Sequence, residues 1–135
     1  MMKHCVLLDP MTSTARIVRV DDKADVMITL YNLIDCDMVQ LLPVYPDRLQ
    51  NGFAVLVDED TYGKPNVFNP LASWLYGCDD HGQPIFRGAV IMKDTQNDLA
   101  FMTKDEAEKI AEDINTRGGN VYVLYTLMIS KILNQ

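Results

Sequence analysis

The sequence predicts an α+β fold, a mixed β-sheet with about three helices packed on it, formed as a single domain over residues 1–135. Three observations carry this prediction. Short apolar runs alternate along the chain with segments of helical periodicity. The helical segments carry their own start and stop residues. The chain has 135 residues, 48% apolar and 23% charged, enough for one buried core and too few for two ordinary domains.

His4 to Leu8 is an apolar run stopped by Asp9-Pro10, and Ala15 to Val20 interleaves Arg16 and Arg19 with Ile17, Val18 and Val20. The turn between them makes an N-terminal hairpin. Asp21 and Asp22 are capping types, and Val26, Leu30, Leu33 and Ile34 recur at helical spacing, so a helix is expected from about Lys23 to Ile34. Met38 to Val44 reads as a strand ended by prolines. Phe53 to Val57 is the next strand, entered through Asn51-Gly52 and closed by Asp58-Glu59-Asp60.

Asn69-Pro70 supplies a cap with proline at the first helical position. Leu71, Trp74 and Leu75 share one face, and Gly77 stands where a left-handed residue ends a helix. Ile85 to Lys93 is an apolar strand interrupted by Gly88, and Asp94 to Asp98 is a loop. Thr103 and Glu106 have capping-box spacing ahead of Ala107, Ile110, Ala111 and Ile114. Gly118-Gly119 ends that helix. Val121 to Ile129, rich in β-branched and aromatic residues, reads as a last strand, with a helix as the alternative.

Charge narrows the function classes. Twelve basic residues against nineteen acidic ones give a net charge of −7, and the basic ones are scattered. Direct nucleic-acid binding is therefore not expected. Such a surface suits neutral or basic partners, or proteins that normally bind nucleic acid. Cys5, Cys36 and Cys78 are odd in number and far apart, which fits a reducing, cytoplasmic setting. The N-terminal apolar run is too short for a signal peptide, and the longest apolar stretch is interrupted by Thr126, Ser130 and Lys131, so no membrane association is expected.

Cys78-Asp79-Asp80-His81 is the densest cluster of metal-ligand types. Adjacent turn residues rarely converge on one ion, so no metal site is expected there. As a nucleophile, Cys78 would sit at a helix C-terminus, where the dipole disfavours a thiolate. Asp58-Glu59-Asp60 resembles a magnesium-binding corner, yet no phosphate loop accompanies it, and a solvated hairpin end is the plainer reading. Gly118-Gly119 follows a helix instead of opening one, so no dinucleotide cofactor is expected. No residue is assigned as catalytic.

The segment from Asn69 to Gly88 supplies the candidate ligand site: Asn69, Ser73, Trp74, Arg87 and Gly88. A helix N-terminus offers amide donors, Arg87 adds positive charge, Trp74 a flat wall, and a glycine within a strand marks a close approach. On the ligand-site reading, Arg87→Ala leaves stability nearly unchanged and abolishes binding; the competing structural reading makes Trp74 core, Gly88 a bulge and Arg87 a surface ion pair.

These residues also carry a resemblance. The hairpin with its Asp9-Pro10 turn, the following helix, the Asn69-Pro-Leu-Ala-Ser-Trp-Leu-Tyr-Gly77 segment, the Pro-Ile-Phe-Arg-Gly-Ala-Val strand and the Thr103 capping-box helix occur in this order. In this the chain resembles the small proteins grouped as domain of unknown function 3846, common in phages, plasmids and other mobile elements. The resemblance covers nearly the whole chain, with the Asn-Pro-Leu-Ala-Ser segment and the Gly-Ala-Val strand its specific parts. It implies a phage or mobile-element setting and supplies no activity, cofactor or catalytic residue.

The expected function is thus that of a non-catalytic accessory protein binding a small polar ligand or a host protein, with counter-defence as one use. The alternative is a metal-dependent enzyme acting on phosphate-containing substrates through Asp58, Asp60, Asp79, Asp80 or His81. Two histidines and no organised nucleophile favour the binder. Val121 to Leu133, apolar on both faces as a strand, needs cover on each, so the protein is expected to form a homodimer. Light scattering at micromolar concentration checks this, and a monomeric mass would overturn it.

Overall fold

Four consecutive residues, Ala89 to Met92, have no exposure to solvent. An extended segment buried on alternating sides needs cover on both faces. The computed structural model describes residues 2–42, 48–60, 63–65, 67–78, 84–95 and 98–118 and supplies that cover. Its elements run β1 (Met2–Asp9), β2 (Thr14–Asp21), α1 (Val26–Ile34), β3 (Val39–Leu42), β4 (Phe53–Asp58), α2 (Pro70–Tyr76), β5 (Ala89–Thr95), β6 (Asp98–Ala100) and α3 (Lys104–Gly118).

All six strands belong to one sheet, in the order β2-β1-β5-β4-β3, with β6 paired to β5. The central strand β5 pairs β1 through Ala89–Ile91, β4 through Ala89–Lys93 and β6 through Lys93–Thr95. The α+β class with three helices follows as the sequence predicts. The described pairings are all antiparallel, where a mixture was expected. Three of them join consecutive strands as hairpins, and a hairpin is necessarily antiparallel.

The alternation of side chains along the central strands divides the core in two. Val6, Leu8, Val55, Val57, Ala89 and Ile91 face α2 and α3. Cys5, Leu7, Leu56, Val90 and Met92 face α1, through its Leu30 and Ile34. The sheet therefore lies between two helical layers, and among the described residues α1 alone makes the thinner one.

Local chemistry sets the element ends. Asp25 caps α1, its Oδ1 accepting from the Ile28 amide at 2.9 Å. Asp21 instead takes the Lys23 amide at 2.9 Å, so the expected helix start moves three residues along the chain. The Thr103–Glu106 capping box forms as expected: Glu106 Oε1 accepts from the Thr103 amide at 3.0 Å and Thr103 Oγ1 from the Glu106 amide at 3.2 Å. Two expectations change. Residues 85–88 are not strand, because Arg87 has φ +67° and breaks the extended backbone ahead of Ala89. Asp98, expected to end a loop, begins β6. The expected last strand from Val121 lies outside the described residues.

Gly118, where α3 meets α2, tests the packing between the two helices. An added Cβ there would collide with Leu71 Cδ1 and stand 3.2 Å from the Trp74 ring. Alanine is favoured over glycine inside a helix by about 1 kcal/mol, while overpacking a core costs about 1–3 kcal/mol. Gly118→Ala is therefore expected to be net destabilising, with a lower urea midpoint at unchanged slope. An equal or higher midpoint would show that Leu71 moves aside freely.

Candidate functional site

A helix entering the core must satisfy its first amides, and a buried side-chain amide must place all its polar atoms. Asn69 does both. Its Oδ1 accepts from the Ala72 amide at 3.0 Å, and its Nδ2 donates to the Leu8 carbonyl at 3.0 Å and to the Arg87 carbonyl at 2.8 Å. Its own amide donates to the Ile85 carbonyl at 2.9 Å. Ser73 Oγ accepts from the Ile85 amide at 2.8 Å and donates to the Ile85 carbonyl at 3.2 Å. Both residues are fully buried. Of the five expected ligand residues, these two hold the backbone on which a third, Arg87, is mounted.

Trp74 lies in the α2–α3 core layer, with the guanidinium carbons of Arg48 and Arg117 at 5.4 and 5.2 Å from its ring centroid. Its wall is used by these two cations. Gly88 is no forced close approach: an added Cβ would meet Leu7 Cδ1 at 3.8 Å and the Leu33 carbonyl oxygen at 4.0 Å, ordinary contacts. The structure thus does not gather the five residues around one opening. Arg87 is the one that lines a cleft, and its side chain turns to the α1 side of the sheet, away from Trp74.

Arg87 is held in the left-handed region, where a residue with a Cβ is strained by about 1–2 kcal/mol. Its amide donates to the Val67 carbonyl at 2.6 Å. Its side chain is only 13% exposed, so Arg87 is not the surface cation that the sequence suggested. Nη2 donates to the Asp35 carbonyl at 2.9 Å and stands 3.8 Å from Asp35 Oδ2. Nε is 3.5 Å from Asp58 Oδ2, yet it is buried without a hydrogen bond.

The Asp58 carboxylate behind it has no exposure. Oδ2 accepts from Lys64 Nζ at 2.7 Å and Oδ1 from the Asp60 amide at 3.0 Å. The hydrogen bond to Asp58 holds the Lys64 ammonium above its ordinary pKa range. In front of the two cations opens a cleft of about 610 Å³, lined also by Tyr31, Asn32, Asp35 and Asp37. Lys64 and the α1 end were missed in the sequence. Asp58 was noticed there, but as the end of a hairpin.

The cleft also meets Cys36, a buried thiol. Burial chiefly, and then the Asp58 carboxylate, push its pKa up, with Lys64 acting in the opposite direction. This is the reverse of an activated nucleophile. For the enzymatic alternative, both Asp58 oxygens are already engaged, Asp60 is exposed, and Asp79, Asp80 and His81 lie outside the described residues. Among the described residues no group of three or more His, Cys, Asp or Glu is placed to hold a metal ion, and no helix is long and apolar enough to cross a membrane. Compared with known proteins, the chain matches no family model, no curated protein and no solved structure.

The thiols give a direct check of this environment. Cys5 is pushed by burial to about 12, and Cys36 is raised as well. At pH 8 neither should react with iodoacetamide in the folded protein, and both should react in urea. Labelling of Cys36 in the native state at the rate of a free thiol would show the cleft wall at the end of α1 to be open.

Proposed function

We propose that the protein is a non-catalytic accessory factor that binds a small polar ligand in the Arg87 cleft, in the phage or mobile-element setting implied by its sequence resemblance. One observation carries this reading: a strained residue delivers a largely buried guanidinium to the cleft, beside Lys64 and against the buried Asp58. Strain of this kind persists where the surroundings impose it and concentrates at ligand-binding sites. Counter-defence by capture of a host signal molecule is a use that suits such a binder.

A host protein as partner is the second reading, favoured by Ile28 on α1 and Leu41 on β3, 59% and 51% exposed. The expected homodimer rests on Val121 to Leu133, which lie outside the described residues. The enzymatic alternative would require a divalent ion before substrate, and turnover.

Thermal unfolding against a panel of small polar molecules, with and without divalent ions, tests the binding reading. A ligand at a hundred times its Kd stabilises the folded state by about 2.7 kcal/mol. Arg87→Gly is the informative variant, because glycine accepts the left-handed backbone that alanine would strain. It should stay folded, at a lower melting temperature because the buried Asp58 keeps only one cation, Lys64, and show a much weaker response. A folded Arg87→Gly protein with the full response would overturn the assignment.

A further inference from the structure

The charges around the cleft divide by position. On its floor, Lys64 and Arg87 share one buried carboxylate oxygen, Asp58 Oδ2, at 2.7 and 3.5 Å. Two cations against one buried anion leave the floor with an excess positive charge, in a chain whose net charge is −7. The Asp35 carboxylate, 98% exposed and 3.8 Å from Arg87 Nη2, offsets only part of it, at the mouth of the cleft.

The other wall has the opposite sign. It is the C-terminal end of α1, where the helix dipole is negative and the last turn holds no basic residue. Asp35 and Asp37 line the cleft there, and Cys36 between them, its pKa raised, stays a neutral thiol. A plain dianion such as phosphate meets two carboxylates as it enters. A plain amine meets two ammonium-type charges on the floor. A molecule carrying both signs satisfies both walls, and a cleft of about 610 Å³ lies in the ordinary range for a small-molecule site.

We infer that the ligand is a zwitterion of amino-acid or short-peptide type. Its carboxylate lies on Arg87 and Lys64 and its ammonium at the α1 end, beside Asp35 and Asp37. This rests on the Arg87 cleft being the binding site.

The test uses the full chain in titration calorimetry and NMR. The probes are a set of neutral amino acids and dipeptides, their N-acetylated and C-amidated forms, simple amines, inorganic phosphate and nucleoside monophosphates. Free dipeptides or amino acids are expected to bind, and blocking either end should weaken binding about tenfold, the scale of one lost charge-assisted hydrogen bond. Asp35→Asn with Asp37→Asn should abolish the discrimination against N-acetylation, and asparagine tolerates the left-handed conformation at position 35 (φ 60°). Arg87→Gly should abolish the discrimination against amidation. Phosphate, a nucleotide or an amine binding more tightly than every zwitterion, with dependence on Arg87, would overturn the zwitterion and leave the binding site standing. Binding by none of the probes, or binding indifferent to Arg87, would overturn both.

Discussion

Asn69 has no contact with solvent, and each of its three side-chain hydrogen bonds ends on the backbone of a different segment: α2, β1 and the stretch before β5. The chain between β4 and β5 has little sheet pairing of its own beyond the isolated bridge from Phe68 to Phe86. Among the described residues it is tied to the sheet by the Asn69 bond to Leu8 and by Lys64 and Arg87 on Asp58. Ser73 on Ile85 and the Arg87 amide on Val67 tie the segment to itself. Removing the Asn69 amide would leave the buried Leu8 and Arg87 carbonyls without a donor, and burial makes that loss much larger than a surface hydrogen bond. The candidate cleft therefore inherits its geometry from a residue that does not line it.

That geometry places a side chain where glycine would be the easier choice. Arg87 takes the left-handed conformation, while Gly88 beside it has a φ that any residue accepts and room for a Cβ. If the backbone turn alone mattered, the reverse order would cost less. The arrangement spends strain to aim a guanidinium at Asp58 and at the end of α1. Asp58, fully buried, would be costly without both cations, because a buried carboxylate needs close and directed partners. The three groups constrain one another, and the excess positive charge they leave is directed into the cleft.

What the sequence shows clearly is what lies within three or four residues. Both ends of α2, the capping box of α3 and the first hairpin depend on local chemistry, and each forms where the residues suggest. Asn69 is legible as a cap, since its partner is Ala72. Its bonds to Leu8 and Arg87, 61 and 18 residues away, have no local trace. The interruption at Gly88 was a true signal displaced by one residue, because a glycine in an apolar run suggests the irregularity is its own. Lys64 stayed hidden for the same reason that Asp58 looked solvated: nothing in Asp58-Glu59-Asp60 tells which of three carboxylates turns inward. Trp74 was legible as core. The two arginines that flank it are 26 residues before it and 43 after.

The cleft also bridges the sheet and its thinner helical layer. Helix α1 is short, nearly all apolar, and anchored on the sheet mainly by Leu30 and Ile34. Its final carbonyl, that of Asp35, is held by Arg87, and the same guanidinium faces Asp58 at the end of β4. An anion seated on Arg87 competes directly with that carbonyl for Nη2, and an ammonium beside Asp35 acts on the same helix end from the other side. The cleft and the end of α1 are thus joined through one hydrogen bond of 2.9 Å. The exposed Ile28 and Met27 ride on that helix. The cleft and these exposed apolar side chains therefore adjoin a single nine-residue element, so the proposed small-ligand and protein-partner readings do not compete for separate parts of the molecule.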